Sequence, residues 1–141
     1  MKRHREAVKA DEEVVQLLRQ LAADNPAHYT SRLARSLQNL GAHLSSLHEY
    51  VEAVDAQQEA LMLLRQLAAQ DPVRYIHDLS VSLNKLGVDL GSLGRHKEAG
   101  QANEEGLILR QRQAAESAEP AATIKLRVAR DKARTKVDLL S

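Results

Sequence analysis

The chain has 141 residues, 43% of them hydrophobic and 28% charged, and its 20 Lys+Arg against 19 Asp+Glu give a formal charge of +1. That length suffices for one domain with a sizeable core. The absence of Cys excludes disulfide scaffolds, Cys-based zinc sites and thiol catalysis, and the near-neutral balance argues against a general polyanion binder. Leucine (22) and alanine (21) dominate while the aromatics are only Tyr29, Tyr50 and Tyr75, a mixture that favours helix almost everywhere. Six Gly and three Pro leave little material for the turns of a many-stranded sheet.

The start, Met1-Lys2-Arg3-His4-Arg5-Glu6, is charged and no apolar segment follows it. The longest apolar run, Ala60 to Leu64, is far short of a membrane span, so no membrane is expected and the cytoplasm is the default location. A first helix is expected over 3–23, carrying Val15, Leu17 and Leu18. Asn25-Pro26 then separates it from a helix over 27–47, because Pro suits a first helical turn behind an Asn or Asp that can act as N-cap. Within 27–47, Tyr29, Leu33, Leu37, Leu40, Leu44 and Leu47 step by four and three, one stripe of a helix. In the next helix, 50–70, Ala53, Ala56, Ala60, Leu63, Leu64 and Leu67 make a stripe broad enough to meet neighbours on both sides. Asp71-Pro72 opens a helix over 73–93, another is expected over 96–117, and a sixth follows Pro120 over 121–140.

These elements are copies of one unit. Arg19-Gln-Leu-Ala-Ala-Asp-Asn-Pro26-Ala-His-Tyr29 returns 46 residues later as Arg65-Gln-Leu-Ala-Ala-Gln-Asp-Pro72-Val-Arg-Tyr75, and 21 of the 46 positions from Arg19 to Leu64 are identical in the next copy. The pairs include Leu37 with Leu83, Leu40-Gly41 with Leu86-Gly87, Glu52-Ala53 with Glu98-Ala99 and Glu59 with Glu105. Glu6-Ala7 and Arg19 extend the same step backwards, and a step of 47 aligns Leu126, Ala133, Val137 and Leu140 with Leu79, Leu86, Leu90 and Leu93. The expected organisation is one domain over 1–141: the second helix of a partial repeat (3–23), repeats over 27–70 and 73–117, and a terminal or capping helix over 121–140.

Leu37-x-x-Leu40-Gly41-x-x-Leu44 followed by Ala53 and Ala60, with Leu83, Leu86-Gly87, Leu90, Ala99 and Gly106 in the second copy, resembles the tetratricopeptide repeat. The resemblance implies an all-α solenoid of about six antiparallel helices, paired as hairpins in a right-handed superhelix. Two features depart from the family. The period is 46 rather than the usual 34, the extra residues being placed in longer helices. The second-helix aromatic is replaced by Gln57 and Asn103. HEAT and armadillo arrays share the longer period but lack the Leu-Gly-x-x-Leu and Glu-Ala register.

Little in the chain points to catalysis or a cofactor. His43 and His48 are five apart and so not on one helix face, no H-E-x-x-H exists, and His4 and His96 occupy the repeat-turn position of Tyr50. Ser36, Ser46, Ser82 and Ser92 recur in register, the mark of structural residues, and neither a G-x-S-x-G elbow nor a phosphate loop is present. The acidic clusters Asp11-Glu12-Glu13 and Glu104-Glu105 read as solvated faces. No catalytic residue, metal or cofactor is expected.

In tetratricopeptide arrays the first helices of successive units line a groove that holds a peptide or partner helix. The corresponding face here is Ser31, Arg35, Gln38, Ala42 and Ser45, continued in the next unit by His77, Val81, Asn84, Val88 and Gly91. The Lys/Asn clamp of the family's carboxylate-peptide binders is not assembled: Gln38, Ala42, Asn84 and Val88 stand at its positions. Val81 and Val88 suit contact with another protein or burial under helix 121–140. That last helix carries a basic surface of Lys125, Arg127, Arg130, Lys132 and Arg134, with a stripe of Ala122, Leu126, Ala129, Ala133, Val137 and Leu140 suited to docking on the preceding pair. An outer face charged for solubility is favoured over a nucleic-acid or lipid site.

The expected function is therefore a non-catalytic scaffold that binds another protein. Two alternatives accompany it. Terminal helices lacking partners suggest a homo-oligomer, head to tail or swapped. Long-period arrays of this kind also often sit beside nucleotide-switch domains, which implies a sensor arm of a larger signalling NTPase.

Overall fold

The computed structural model describes the backbone over residues 2–140 and the side chains of 2–116 and 125–140. It is all-helical: α1 (Lys2–Asp24), α2 (Pro26–Ser46), α3 (Tyr50–Gln70), α4 (Pro72–Ser92) and α5 (His96–Leu140) follow one another, and each packs on the next. Pro26 and Pro72 sit in the first turns of α2 and α4, as the repeat requires. The caps differ. The Asp71 carboxylate accepts the Arg74 backbone N–H at 3.3 Å, whereas the Asn25 side chain makes no such bond.

Each first helix is held between two second helices. In one core, Leu33, Leu37, Leu40 and Leu44 of α2 meet Val8, Val15 and Leu18 of α1 and Ala53, Ala56 and Ala60 of α3. In the next, Leu79, Leu83, Leu86 and Leu90 of α4 meet Val54, Leu61 and Leu64 of α3 and Ala99 and Ala102 of α5. Helix α3 thus presents an alanine face to one neighbour and a branched-aliphatic face to the other. This explains its broad stripe.

Gln57 and Asn103, which stand where the resemblance implies an aromatic, share a cause at the helix crossing. An added Cβ at Gly41 would lie 2.9 Å from Gln57 Cδ, and one at Gly87 would lie 2.8 Å from Asn103 Cγ. These amides therefore fill the niches that the glycines open. Gln57 is 1% exposed and its Oε1 has no hydrogen-bond partner, so shape rather than polar pairing places it there. On the outer edge, consecutive second helices are joined by equivalent ion pairs. Arg19 donates to Glu59 at 2.6 and 3.2 Å, and Arg65 donates to Glu105 at 2.8 and 3.0 Å. Both pairs were present in the sequence as identical residues 46 apart, although nothing there showed that they meet.

The segments expected as fifth and sixth helices are continuous. Helix α5 runs through Pro120 to Leu140, although an interior proline forfeits one helical hydrogen bond. The carboxylate cap that Asp71 supplies before Pro72 has no counterpart here: Glu119 stands in its place, amid Ala114, Ala115, Ala118, Ala121 and Ala122. Residues 125–140 consequently do not fold back as a cap, and every one of them is exposed. Of the expected docking stripe, Leu126 and Leu140 are 73% and 83% exposed, and the Ala122 side chain lies outside the described residues. No helix among the described residues is long and apolar enough to cross a membrane.

The first-to-second-helix turns carry left-handed residues at equivalent positions, His48 (φ 59°) and Gly94 (φ 75°). The turn at Gly94 uses the residue type that adopts this conformation without strain; the turn at His48 does not. Nothing lies within 4 Å of a Cβ built at Gly94, so Gly94→Ala reports backbone strain alone and should lower unfolding free energy by about 1 kcal/mol. His48→Gly should raise it by about 0.5 kcal/mol despite losing the 2.6 Å contact between His48 Nδ1 and the Tyr50 hydroxyl. Urea unfolding of both variants checks this; a destabilised His48→Gly would show that the side-chain bond outweighs the strain.

Candidate interaction face

Helices α2 and α4, the first helices of the two complete units, meet at their C-terminal ends and leave a cleft toward their N-terminal halves. At the closed end the Ser45 hydroxyl donates to Asp89 Oδ1 at 2.7 Å. Asp89 is only 2% exposed, and burial pushes its carboxyl above the ordinary carboxylate range, partly opposed by the Ser45 bond. The open end is a cleft of about 390 Å³. Ser31, Arg32, Arg35 and Gln38 of α2, Leu64 of α3, and Arg74, Tyr75 and Asp78 of α4 line it.

Three positively charged side chains converge on this cleft against one carboxylate. None of Arg32, Arg35, Arg74 or Asp78 takes part in the ion pairs found among the described residues. Two of the arginines are oriented by aromatic rings. The Arg74 guanidinium lies 5.2 Å from the Tyr75 ring centre, and that of Arg32 lies 5.8 Å from Tyr29. Arg74 and Tyr75 also wall a neighbouring recess of about 470 Å³ at the helix N-termini.

The expected face divides here. Ser31, Arg35 and Gln38 line the cleft, half-buried Ala42 and Ser45 lie toward its closed end, and the α4 row faces elsewhere. His77, Asn84 and Val88 are exposed, Val88 at 66%, and Val81 and Gly91 are half-buried. The reason is the repeat itself. Units related by a 46-residue step present equivalent residues in the same direction, so the α2 row looks toward α4 and the α4 row looks toward the position of a further first helix. What α4 turns toward α2 is a different row, Arg74, Asp78 and Asp89. Lys125, Arg127, Arg130, Lys132 and Arg134 are all exposed on α5, remote in sequence from the cleft. Among the described residues no group of three His, Cys, Asp or Glu could hold a metal ion.

Comparison with known proteins adds a fold and no family. No family model matches the chain, and no curated protein matches it. Among solved structures it is similar to the crystal structure of BtubC (BKLC) from P. vanneervenii, with a TM-score of 0.60 and 22% identity over 94% of this chain. The match takes in 50% of the other chain, so this protein spans about half the length of BtubC. At that identity the likeness shows the helical architecture alone.

Asp89 provides a pH-linked test of the closed end. A carboxyl whose folded pKa is raised binds its proton more tightly when folded, so its contribution to stability declines as pH rises from the ordinary carboxylate value through the raised one. Asp89→Asn keeps an acceptor for Ser45 and removes the buried charge. Its stability relative to the natural chain should therefore improve as pH rises across that window and level off above it, as measured by urea unfolding at a series of pH values. A difference that does not change with pH would show that Asp89 is not held above its ordinary range.

Proposed function

We propose that this protein is a non-catalytic, tetratricopeptide-like helical scaffold that binds an acidic segment of another protein in the α2–α4 cleft. The observation that carries this reading is the convergence of Arg32, Arg35 and Arg74, in no ion pair among the described residues, on a concavity whose described lining has Asp78 as its one carboxylate. Planar guanidinium groups match carboxylates bidentately. The rings of Tyr29 and Tyr75 reduce the orientational freedom that binding would otherwise remove. The cleft replaces with arginines the Lys/Asn clamp that the sequence lacks. Leu64 at its floor offers an apolar contact beside the charges.

The tetratricopeptide-like reading is supported by the Leu-Gly-x-x-Leu register and by the close crossings at Gly41 and Gly87. The scaffold reading rests on the concentration of side-chain chemistry in a cleft without a nucleophile–base pair.

Titration with a poly-glutamate peptide, followed by amide NMR shifts, tests this reading. Shifts should concentrate at Ser31, Arg35, Gln38, Arg74 and Asp78 and weaken with added salt. The double substitution Arg35→Ala/Arg74→Ala should lower affinity about tenfold. Equal binding of a poly-lysine peptide, or unchanged affinity in the double variant, would sink the proposal.

A further inference from the structure

The arginine cleft does not end at Arg74. Arg74 and Tyr75 also wall the adjoining recess of about 470 Å³, so one pair of side chains borders both concavities. The recess is made by the N-terminal ends of α2 and α4 and the C-terminal end of α3, and its lining differs in kind from that of the cleft. Pro26, Leu67 and the Tyr75 ring give it apolar surface, while Thr30, Gln66 and Gln70 give it uncharged polar groups.

Charge sorts the two concavities. In the cleft, Arg32, Arg35 and Arg74 stand against Asp78. In the recess the charged lining is Arg74 and Asp71, one of each sign, and the Asp71 carboxylate already accepts the Arg74 backbone N–H at 3.3 Å. The cleft therefore favours carboxylates, whereas the recess has no net charge with which to hold one. An uncharged group suits it. Leu67 and Tyr75 are half-buried and pack on the core, so their open surfaces are held in place and little ordering is lost on binding. A ring matches this lining better than an aliphatic chain. The Arg74 guanidinium lies over the Tyr75 ring, and a ligand ring would extend that stack. A polar group at the tip of such a ring would meet the amides of Gln66 and Gln70 or the Thr30 hydroxyl.

We propose that the recess is a second subsite of the same interface, taking a tyrosine side chain from a partner segment whose neighbouring acidic residues occupy the cleft. The inference rests on the arginine-cleft reading and adds a sequence requirement to it: the shared wall of Arg74 and Tyr75 sets the aromatic residue directly beside the acidic ones.

Two capped peptides of equal charge test it, each with a run of three glutamates on either side of a central residue that is tyrosine in one and alanine in the other. In calorimetric titrations of the full chain the tyrosine peptide should bind about tenfold tighter. Its amide NMR shifts should extend from the cleft to Ala27, Thr30, Leu67 and Gln70, which the alanine peptide should leave unmoved. Ala27→Trp, at an exposed position of the recess lining, should keep the natural circular dichroism spectrum and bring the two peptides to equal affinity. Arg35→Ala, which borders the cleft and not the recess, should weaken both peptides by the same factor and preserve their ratio. Equal affinities for the natural chain, with shifts confined to the cleft, would overturn the recess proposal and leave the cleft reading standing. A leucine-centred peptide that gains as much as the tyrosine one would overturn the assignment to a ring. A tyrosine preference that survives Ala27→Trp would place the ring elsewhere and overturn the proposal too. Binding of neither peptide would remove the cleft reading, and this one with it.

Discussion

The structure depends on leucines of one helix pressing into alanine faces of the next. Leu37 and Leu83 are each 1% exposed, and the residues opposite them include Ala53, Ala56 and Ala60, or Ala99 and Ala102. Small residues on the receiving helix let the two backbones approach closely, and dispersion and burial then act over the whole length of the crossing. At Gly41 and Gly87 the approach leaves a niche, which Gln57 and Asn103 fill. Every other property of the array follows from keeping this contact at a 46-residue interval.

A repeated contact has a directional consequence. Equivalent rows point the same way, so α2 and α4 face each other through non-equivalent residues: Ser45 of one donates to Asp89 of the other, and Arg35 and Asp78 line the same cleft. The arginine cleft is thus made by the relation between two units, and neither unit contains it alone. For the same reason Val88, in the α4 row, is left facing outward at 66% exposure. Meanwhile the outer edges of the second helices are joined by Arg19–Glu59 and Arg65–Glu105, exposed pairs of modest energy that repeat with the period.

Helix α5 shows how little separates a break from a continuation. Three prolines stand between expected helices; Pro26 and Pro72 each begin a new helix, and before Pro72 the Asp71 carboxylate caps it. Before Pro120 the chain offers glutamate and alanines, so helical propensity carries the backbone onward. One missing turn residue thereby converts an expected cap into an exposed basic extension.

The sequence by itself determined the helical class, the 46-residue unit, the leucine and alanine stripes and the positions of four of the five helices, because these are local consequences of periodicity and turn chemistry. It also held Ser31, Arg35 and Gln38 on one helical face, since spacing along one helix fixes direction. Tertiary structure alone decided which face of α4 meets α2. It also buried Asp89 beside Ser45 and converged Arg32, Arg35 and Arg74 on one concavity. Those outcomes depend on the rotation and offset between units, which no periodicity within a single helix encodes.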